Sequence, residues 1–377
     1  MKSENSPLPG DLAVDHVRTL APYVPGKPIE ELERELGITG IVKLASNENP
    51  FGPSPNALAA MHAALSDSWL YPDGSGYVLK NALARKLGVT PDQITLGNGS
   101  NDVLVLLAEA FLKPGLEAVY SRYAFAVYPI AVQAAGATGV VAEALPADSP
   151  MPLGHDLAAM RRAITDRTRI VFVANPNNPT GTYVGAHELR EFVKGIPPHV
   201  LVVLDEAYYE YAGGLDIQNG IAWLADFPNL VVCRTFSKAY GLAGLRVGYA
   251  VSDPSVAAML NRVRQAFNVS SVALAGATAA LDDEAHVTAA VKVAVAERVR
   301  VAEKLRSLGT PVLPSAGNFL MLHAGAAAKA RFDALLRAGI IVRPVANYQL
   351  PEHLRVTLGT VEQNDRFLAA WQKILIA

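Results

Sequence analysis

Short apolar runs, each ending in a polar or glycine-rich loop, alternate with Ala- and Leu-rich stretches of helical character. The runs fall at residues 93–96, 118–120, 169–174, 200–204 and 230–235. Their near-continuous apolar character suits strands buried on both faces, so the expectation is an α/β fold with a mostly parallel central sheet flanked by helices. Open sheets of this kind bind ligands at the carboxyl ends of their strands. The loops at 97–101, 123–128, 175–181, 205–208 and 237–246 are therefore the places to look for chemistry.

At 377 residues the chain exceeds what one hydrophobic core usually serves, which predicts a large domain and a smaller companion. From about Ala273 the pattern turns to long Ala/Val/Arg helices, with short strands at 319–322, 340–342 and 354–358, as expected of a small α+β domain. The start of the chain has a charged helix over Ile29–Leu36 but no core of its own. These readings divide the chain into an arm at 1–45, a large domain at 46–270 and a small domain at 271–377.

Hydrophobic residues make up 51% of the chain and charged residues 18%, with a net charge of -2 and no long run of one sign. This gives no footprint for nucleic acid or an anionic membrane surface and points to small-molecule partners. The lone cysteine, Cys233, excludes an intrachain disulfide and a cysteine-based zinc site, and no other metal site is expected. The polar start at 1–11 has no apolar stretch of the kind a signal peptide carries, so a cytoplasmic location is expected. The most apolar stretches, 103–111 and 271–281, are too short to cross a bilayer and read as buried helices.

Residues 232–238 read Val-Cys-Arg-Thr-Phe-Ser-Lys, which places Lys238 just past a buried strand. Apolar walls disfavour the charged form of an amine, and a neutral amine is what attacks an aldehyde and stays attached as a Schiff base. On the dipeptide alone, a solvated loop lysine is the commoner case. Downstream, Arg246 ends a Gly-rich turn, with the hydroxyls of Thr235 and Ser237 upstream, a set suited to a phosphate. Residues 96–102, Leu-Gly-Asn-Gly-Ser-Asn-Asp, suggest a second anion-binding spot where Ser100 is expected to cap a helix. Taken singly, that feature is more often a plain cap.

Asp205 ends the run at 200–204 and is placed to pair with a protonated ring nitrogen, keeping the ring electron-withdrawing. Tyr208 and Asn178, the latter in a proline-stiffened loop, are placed to donate to a ring oxygen. In isolation, each also reads as an ordinary strand end or turn.

Together, Asn178-Pro-Thr-Gly, Asp205-x-x-Tyr208, Ser237-Lys238 and Arg246 resemble the signature of fold-type I, class I/II aminotransferases. The resemblance implies pyridoxal 5'-phosphate as cofactor. It implies that Lys238 binds the cofactor covalently and moves the proton between the substrate α-carbon and the cofactor C4′. Asp205 would hold the pyridine nitrogen, Asn178 and Tyr208 the phenolate oxygen, and Ser100, Asn101, Ser237 and Arg246 the phosphate. Phe125 best fits the family's stacking aromatic, with Tyr123 the second choice. Tyr71 resembles the tyrosine that reaches the cofactor phosphate of the partner subunit, which implies a homodimer. Arg355 resembles the arginine that grips the substrate carboxylate.

Residues 23–28, 44–52, 315–320 and 342–348 are further similar to histidinol-phosphate aminotransferases, over nearly the whole chain. That similarity implies amino transfer between L-histidinol phosphate and 2-oxoglutarate in histidine biosynthesis. Tyr23 and Arg343 would contact the substrate phosphate, Asn47 would join the substrate-binding set, and Asn101 and Tyr23 would frame the imidazole. The extra cation suits a substrate in which a phosphate and a carboxylate need separate anion sites. Ser121-Arg122 stands where many relatives have Pro-Thr. The same subfamily includes aromatic amino-acid aminotransferases, and the fold also serves phosphorylated-amino-acid decarboxylases. A non-enzymatic binding module is the reading that the intact lysine and phosphate loop oppose.

Overall fold

The computed structural model describes residues 8–376. The polar start at 1–11 lies largely outside the described residues, since 1–7 are not among them. In chain order the strands are β1 Val42–Lys43, β2 Ile94–Gly97, β3 Glu117–Ser121, β4 Thr138–Ala142, β5 Thr168–Ala174, β6 Leu201–Asp205, β7 Leu230–Thr235 and β8 Gly248–Ser252. They continue with β9 Phe319–His323, β10 Ile340–Ile341, β11 Arg343–Pro344 and β12 His353–Thr357.

Seven strands form the central sheet in the order β2-β8-β7-β6-β5-β3-β4. Neighbours from β7 through β4 are parallel, and β8 runs against both β7 and β2. Alternation along each strand sends Val171, Val173, Val202, Leu204 and Val232 to one face. Ile170, Phe172, Val203, Val231 and Cys233 go to the other, beneath the helices Ser100–Phe111 and Val127–Ala134. Both faces are buried, which explains why these strands read as unbroken apolar runs. Two strands lacked that mark. Most of β4 is an exposed edge, and β8 opens on a glycine directly after the Gly-rich loop.

Two smaller sheets complete the fold: β11-β12-β9, antiparallel, and the pair β1-β10. The strand expected at 340–342 is β10 at 340–341; Val342 breaks it, and the chain continues into the other sheet as β11. Ile340 and Ile341 pair in parallel with Val42 and Lys43, so the chain just before residue 45 joins the C-terminal half through backbone hydrogen bonds. The core here gathers Val301, Leu335, Phe367 and the fully buried Trp371. The indole Nε1 of Trp371 donates to Thr310 Oγ1 at 2.8 Å. The segment from residue 271 begins with helix Ser271–Asp282, capped by Ser270, whose hydroxyl accepts from the Ala273 N–H. That helix packs on helices Pro55–Ala64 and Tyr77–Leu87, and its Ala273, Ala277 and Leu281 join the core of the central sheet. Among the described residues, no helix is long and apolar enough to cross a membrane.

The carboxyl ends of β6 and β7 are tied by a buried ion pair. Arg234 Nη2 lies 2.7 Å from Glu206 Oε2, with side-chain exposures of 7% and 3%. Arg234 also donates to Asn219 Oδ1 at 2.7 Å and lies over the Tyr209 ring at 4.1 Å. Glu206 in turn accepts from the Gly220 N–H at 2.7 Å. Removing one partner of such a pair strands a buried charge, a loss of about 3–5 kcal/mol. Arg234→Met is therefore expected to lower stability by that amount in denaturant unfolding. Adding Glu206→Leu should restore much of the loss.

Candidate active site

Loops at the carboxyl ends of the central strands meet β11, β12 and the N-terminal segments near Tyr23 and at 45–47 around a cavity of about 380 Å³. Its lining includes Tyr23, Asn47, Ser100, Asn101, Phe125, Asn178, Asp205, Tyr208, Thr235, Ser237, Lys238, Arg246, Arg343 and Arg355. Of the residues singled out in the sequence, Tyr71 and Tyr123 are not in that lining. Tyr71 is 83% exposed and stacks on Phe267 with ring centroids 4.8 Å apart. Tyr123 packs instead among Val345, Tyr348 and Leu350.

At one end the start of helix Ser100–Phe111 faces Arg246. The cap is Gly99, not Ser100 as expected, because the chain needs a positive φ of 85° there to turn from β2 into the helix. A side chain on Gly99 would run into the Arg246 guanidinium, and one on Gly248 into the Ser100 backbone nitrogen. These glycines let the basic loop lie against the helix start. Arg246 Nη1 donates to Ser237 Oγ at 3.2 Å, and the Ser237 N–H donates to Thr235 Oγ1 at 3.1 Å. No side-chain cap binds the first turn of this helix, so its N–H groups, the guanidinium and the hydroxyls form a donor set for a phosphate.

In the middle stand the groups for a ring. Burial pushes the Asp205 carboxyl up to about 6, against hydrogen bonds from Tyr128 O–H at 2.8 Å and the Ala207 N–H at 3.2 Å. Burial raises the Tyr208 phenol to about 12, so it keeps its proton. Asn47 Nδ2 donates to Tyr208 Oη at 2.9 Å, which leaves the phenolic proton free to be donated elsewhere. Thr357 Oγ1 fixes Asn47 by donating to its Oδ1 at 2.9 Å and accepting its backbone N–H at 2.9 Å. Asn178 Oδ1 accepts from Arg355 Nη1 at 2.5 Å, leaving its amide N–H groups as donors.

Lys238 Nζ donates to the Ser46 carbonyl at 3.0 Å and lies 5.7 Å from the centre of the Tyr208 ring. Burial, reinforced by the nearby Arg355, lowers this amine to about 7. A large share is therefore neutral at neutral pH, the nucleophilic form.

The far end is cationic. Arg343 and Arg355 are partners across the β11–β12 register. Arg355 Nη2 donates to the Ala45 carbonyl at 2.6 Å, and its buried Nε has no partner. Arg343 Nη2 donates to the Val24 carbonyl at 2.6 Å and lies 5.8 Å from the centre of the Tyr23 ring. Like charges side by side are unfavourable on their own. The pair suits an anion arriving from the cavity. Sequence reasoning missed Tyr128, Thr357 and the Ser46 and Ala45 carbonyls. Backbone acceptors leave no mark in a sequence, and Tyr128 was visible only as one more aromatic of the 123–128 loop.

The model of the family "Aminotransferase class I and II" matches residues 39–370. The chain belongs to that family. It is 57% identical over 366 residues to histidinol-phosphate aminotransferase 2 of Pseudomonas fluorescens, covering 97% of each protein. It is 56% identical over 365 residues to histidinol-phosphate aminotransferase 2 of Methylococcus capsulatus, covering 97% of this chain and 98% of that one. Among solved structures, the histidinol-phosphate aminotransferase of Sinorhizobium meliloti in complex with pyridoxal-5'-phosphate superposes with a TM-score of 0.88. It shares 32% identity and covers 97% of this chain and 98% of that chain.

The lowered Lys238 amine gives a direct pH test. In cofactor-free protein, the rate of reaction with pyridoxal phosphate should rise with pH and level off through an inflection near 7, because the neutral amine is the reactive form. An inflection near the ordinary lysine value of 10.5 would show that the amine is solvated.

Proposed function

We propose that this aminotransferase binds pyridoxal 5'-phosphate and transfers the amino group between L-histidinol phosphate and 2-oxoglutarate. The observation that carries the substrate reading is the Arg343–Arg355 pair, with Tyr23 beside it, in the same cavity as Lys238. The donor set suits the cofactor at each of its ends. Arg246, Ser237, Thr235 and the Ser100 and Asn101 N–H groups hold its phosphate, Asp205 its pyridine nitrogen, and Asn178 and Tyr208 its ring oxygen. Phe125 supplies the stacking face, and Lys238 the covalent link.

When bound, pyridoxal phosphate supplies an electron-withdrawing ring that stabilises negative charge at the substrate α-carbon. The chain's own residues do the rest. Lys238 Nζ takes the proton from that carbon, a task suited to an amine poised near neutrality. Asp205, as carboxylate, keeps positive charge at the ring nitrogen, and Tyr208 and Asn178 hold the ring by donating to its oxygen.

Histidinol phosphate carries no carboxylate, so the two arginines do not serve two ends of that one molecule, as the sequence reading had it. In a two-stage transfer one pocket receives both reactants in turn. Arg343 and Arg355 therefore hold a phosphate in one half-reaction and carboxylates of glutamate or 2-oxoglutarate in the other. Asn47 and Tyr23 line the substrate side.

The enzyme works as a homodimer in which Tyr71 reaches the neighbouring active site. This is supported by its exposure beside other exposed apolar residues, Trp69, Leu70, Tyr77, Val78 and Phe267. The working division is the arm, the cofactor-binding domain and the small domain read from the sequence, with the boundary at 270/271 moved past helix Ser271–Asp282, whose Ala273, Ala277 and Leu281 belong to the core of the central sheet. The lone thiol, Cys233, is buried and unpaired and suits a reducing cytoplasm.

Steady-state comparison of histidinol phosphate with phenylalanine tests the reading. Histidinol phosphate should have the higher kcat/KM. Arg343→Ala should reduce kcat/KM for histidinol phosphate by roughly a hundredfold, about 3 kcal/mol, and affect phenylalanine far less. A preference for phenylalanine would move the assignment to an aromatic amino-acid aminotransferase. Carbon dioxide release without keto-acid-dependent turnover would make it a decarboxylase.

A further inference from the structure

We propose that Tyr128 is a positioning residue for the reaction: its hydroxyl pins the Asp205 carboxylate and holds it in the charged form that the cofactor ring requires. The inference rests on the reading that Asp205 meets the ring nitrogen.

Tyr128 is fully buried in helix Val127–Ala134. Its ring stacks on Phe172, with centroids 4.7 Å apart and planes at 7°, and meets Phe125 edge-on at 6.0 Å. A phenylalanine would satisfy that packing. The hydroxyl therefore needs a separate reason, since a buried polar group without a partner is costly. Among the described residues it donates to Asp205 Oδ2, at 2.8 Å. A carboxylate only accepts, so the phenol must be the donor, and burial keeps it protonated far above the ordinary tyrosine range. The other oxygen, Oδ1, takes the Ala207 N–H. Bonds to both oxygens fix the plane of the carboxylate at the cavity wall.

The remaining groups that face Asp205 do not replace this donor. Glu206 adjoins it in sequence and is committed to Arg234. Lys238 acts on it through charge alone and has its own work. Cys233, across the strand pair, is a buried thiol held well above its ordinary range, and Tyr208 accepts from Asn47. Burial pushes Asp205 toward its neutral form, and the Tyr128 hydrogen bond opposes that push. Through its edge contact with Phe125, the same side chain also braces the ring that lines the cavity.

Tyr128→Phe in the holoenzyme tests this, with Asp205→Asn and Phe172→Leu as companions. Tyr128→Phe should weaken pyridoxal phosphate binding about tenfold, the loss of one hydrogen bond to a charged group. It should lower kcat about tenfold while leaving KM for the amino donor within about twofold. The pH at which the cofactor's visible absorption band shifts should rise, because a ring nitrogen less firmly protonated withdraws less from the Lys238 linkage. Phe172→Leu disturbs the stack but keeps the hydroxyl, and should leave the cofactor affinity and the band's pH midpoint unchanged. If Tyr128→Phe keeps wild-type affinity and midpoint while Asp205→Asn loses both, the role of Tyr128 is overturned and that of Asp205 stands. If Phe172→Leu reproduces the changes, packing explains them and the proposal falls. Wild-type cofactor binding by Asp205→Asn would overturn the underlying reading and the proposal with it.

Discussion

Desolvation of the Lys238 amine sets the terms for the groups around it. An ammonium in water is a poor nucleophile and a poor base, whereas an amine lowered to about 7 serves as both. Burial and neighbouring cations both favour the neutral form, so this amine loses its proton easily. Arg355 and Arg246 supply positive charge, and the Ser46 carbonyl orients the amine by accepting its hydrogen bond. Guanidinium groups also suit phosphate and carboxylate, so the charge that lowers the amine is the charge proposed to receive those anions.

The segment at 45–47 joins the parts. Ala45 accepts from Arg355, Ser46 accepts from Lys238, and Asn47 donates to Tyr208 while bonded to Thr357. Three consecutive residues thus touch Arg355, the Lys238 amine and the Tyr208 hydroxyl. Their position follows from β1, whose pairing with β10 anchors this stretch to the C-terminal half. Asn47 adopts a left-handed φ of 55°, a conformation that asparagine tolerates better than most residues. The loops of the central sheet deliver Tyr208 and Lys238 from one side, and this short segment bonds to both and to Arg355 and Thr357 of β12 on the other.

Much of this was legible in the sequence, and the gaps have physical causes. Fully buried parallel strands announce themselves as apolar runs, so β3, β5, β6 and β7 and the loops that follow them could be read directly. Edge strand β4 could not, because its residues face water. The polar residues of those loops, from Asn178 to Arg246, stood in a recognisable order, and the structure brings them to one cavity. Ser100 was misplaced by one position because cap preference favours serine, whereas the backbone here demands glycine at 99. Tyr128 and Thr357 escaped notice because their role depends on a partner distant in sequence, Asp205 for one and Asn47 for the other. The backbone carbonyls of Ala45 and Ser46 belong to no residue type at all.

The central claim is that the cofactor's aldehyde is captured by one lysine, and borohydride reduction of the holoenzyme followed by peptide mass mapping tests it most directly. The account predicts a stable pyridoxyl adduct on Lys238 alone, and none in a Lys238→Ala variant. A reduced adduct on another lysine, or one that persists when Lys238 is replaced, would contradict it.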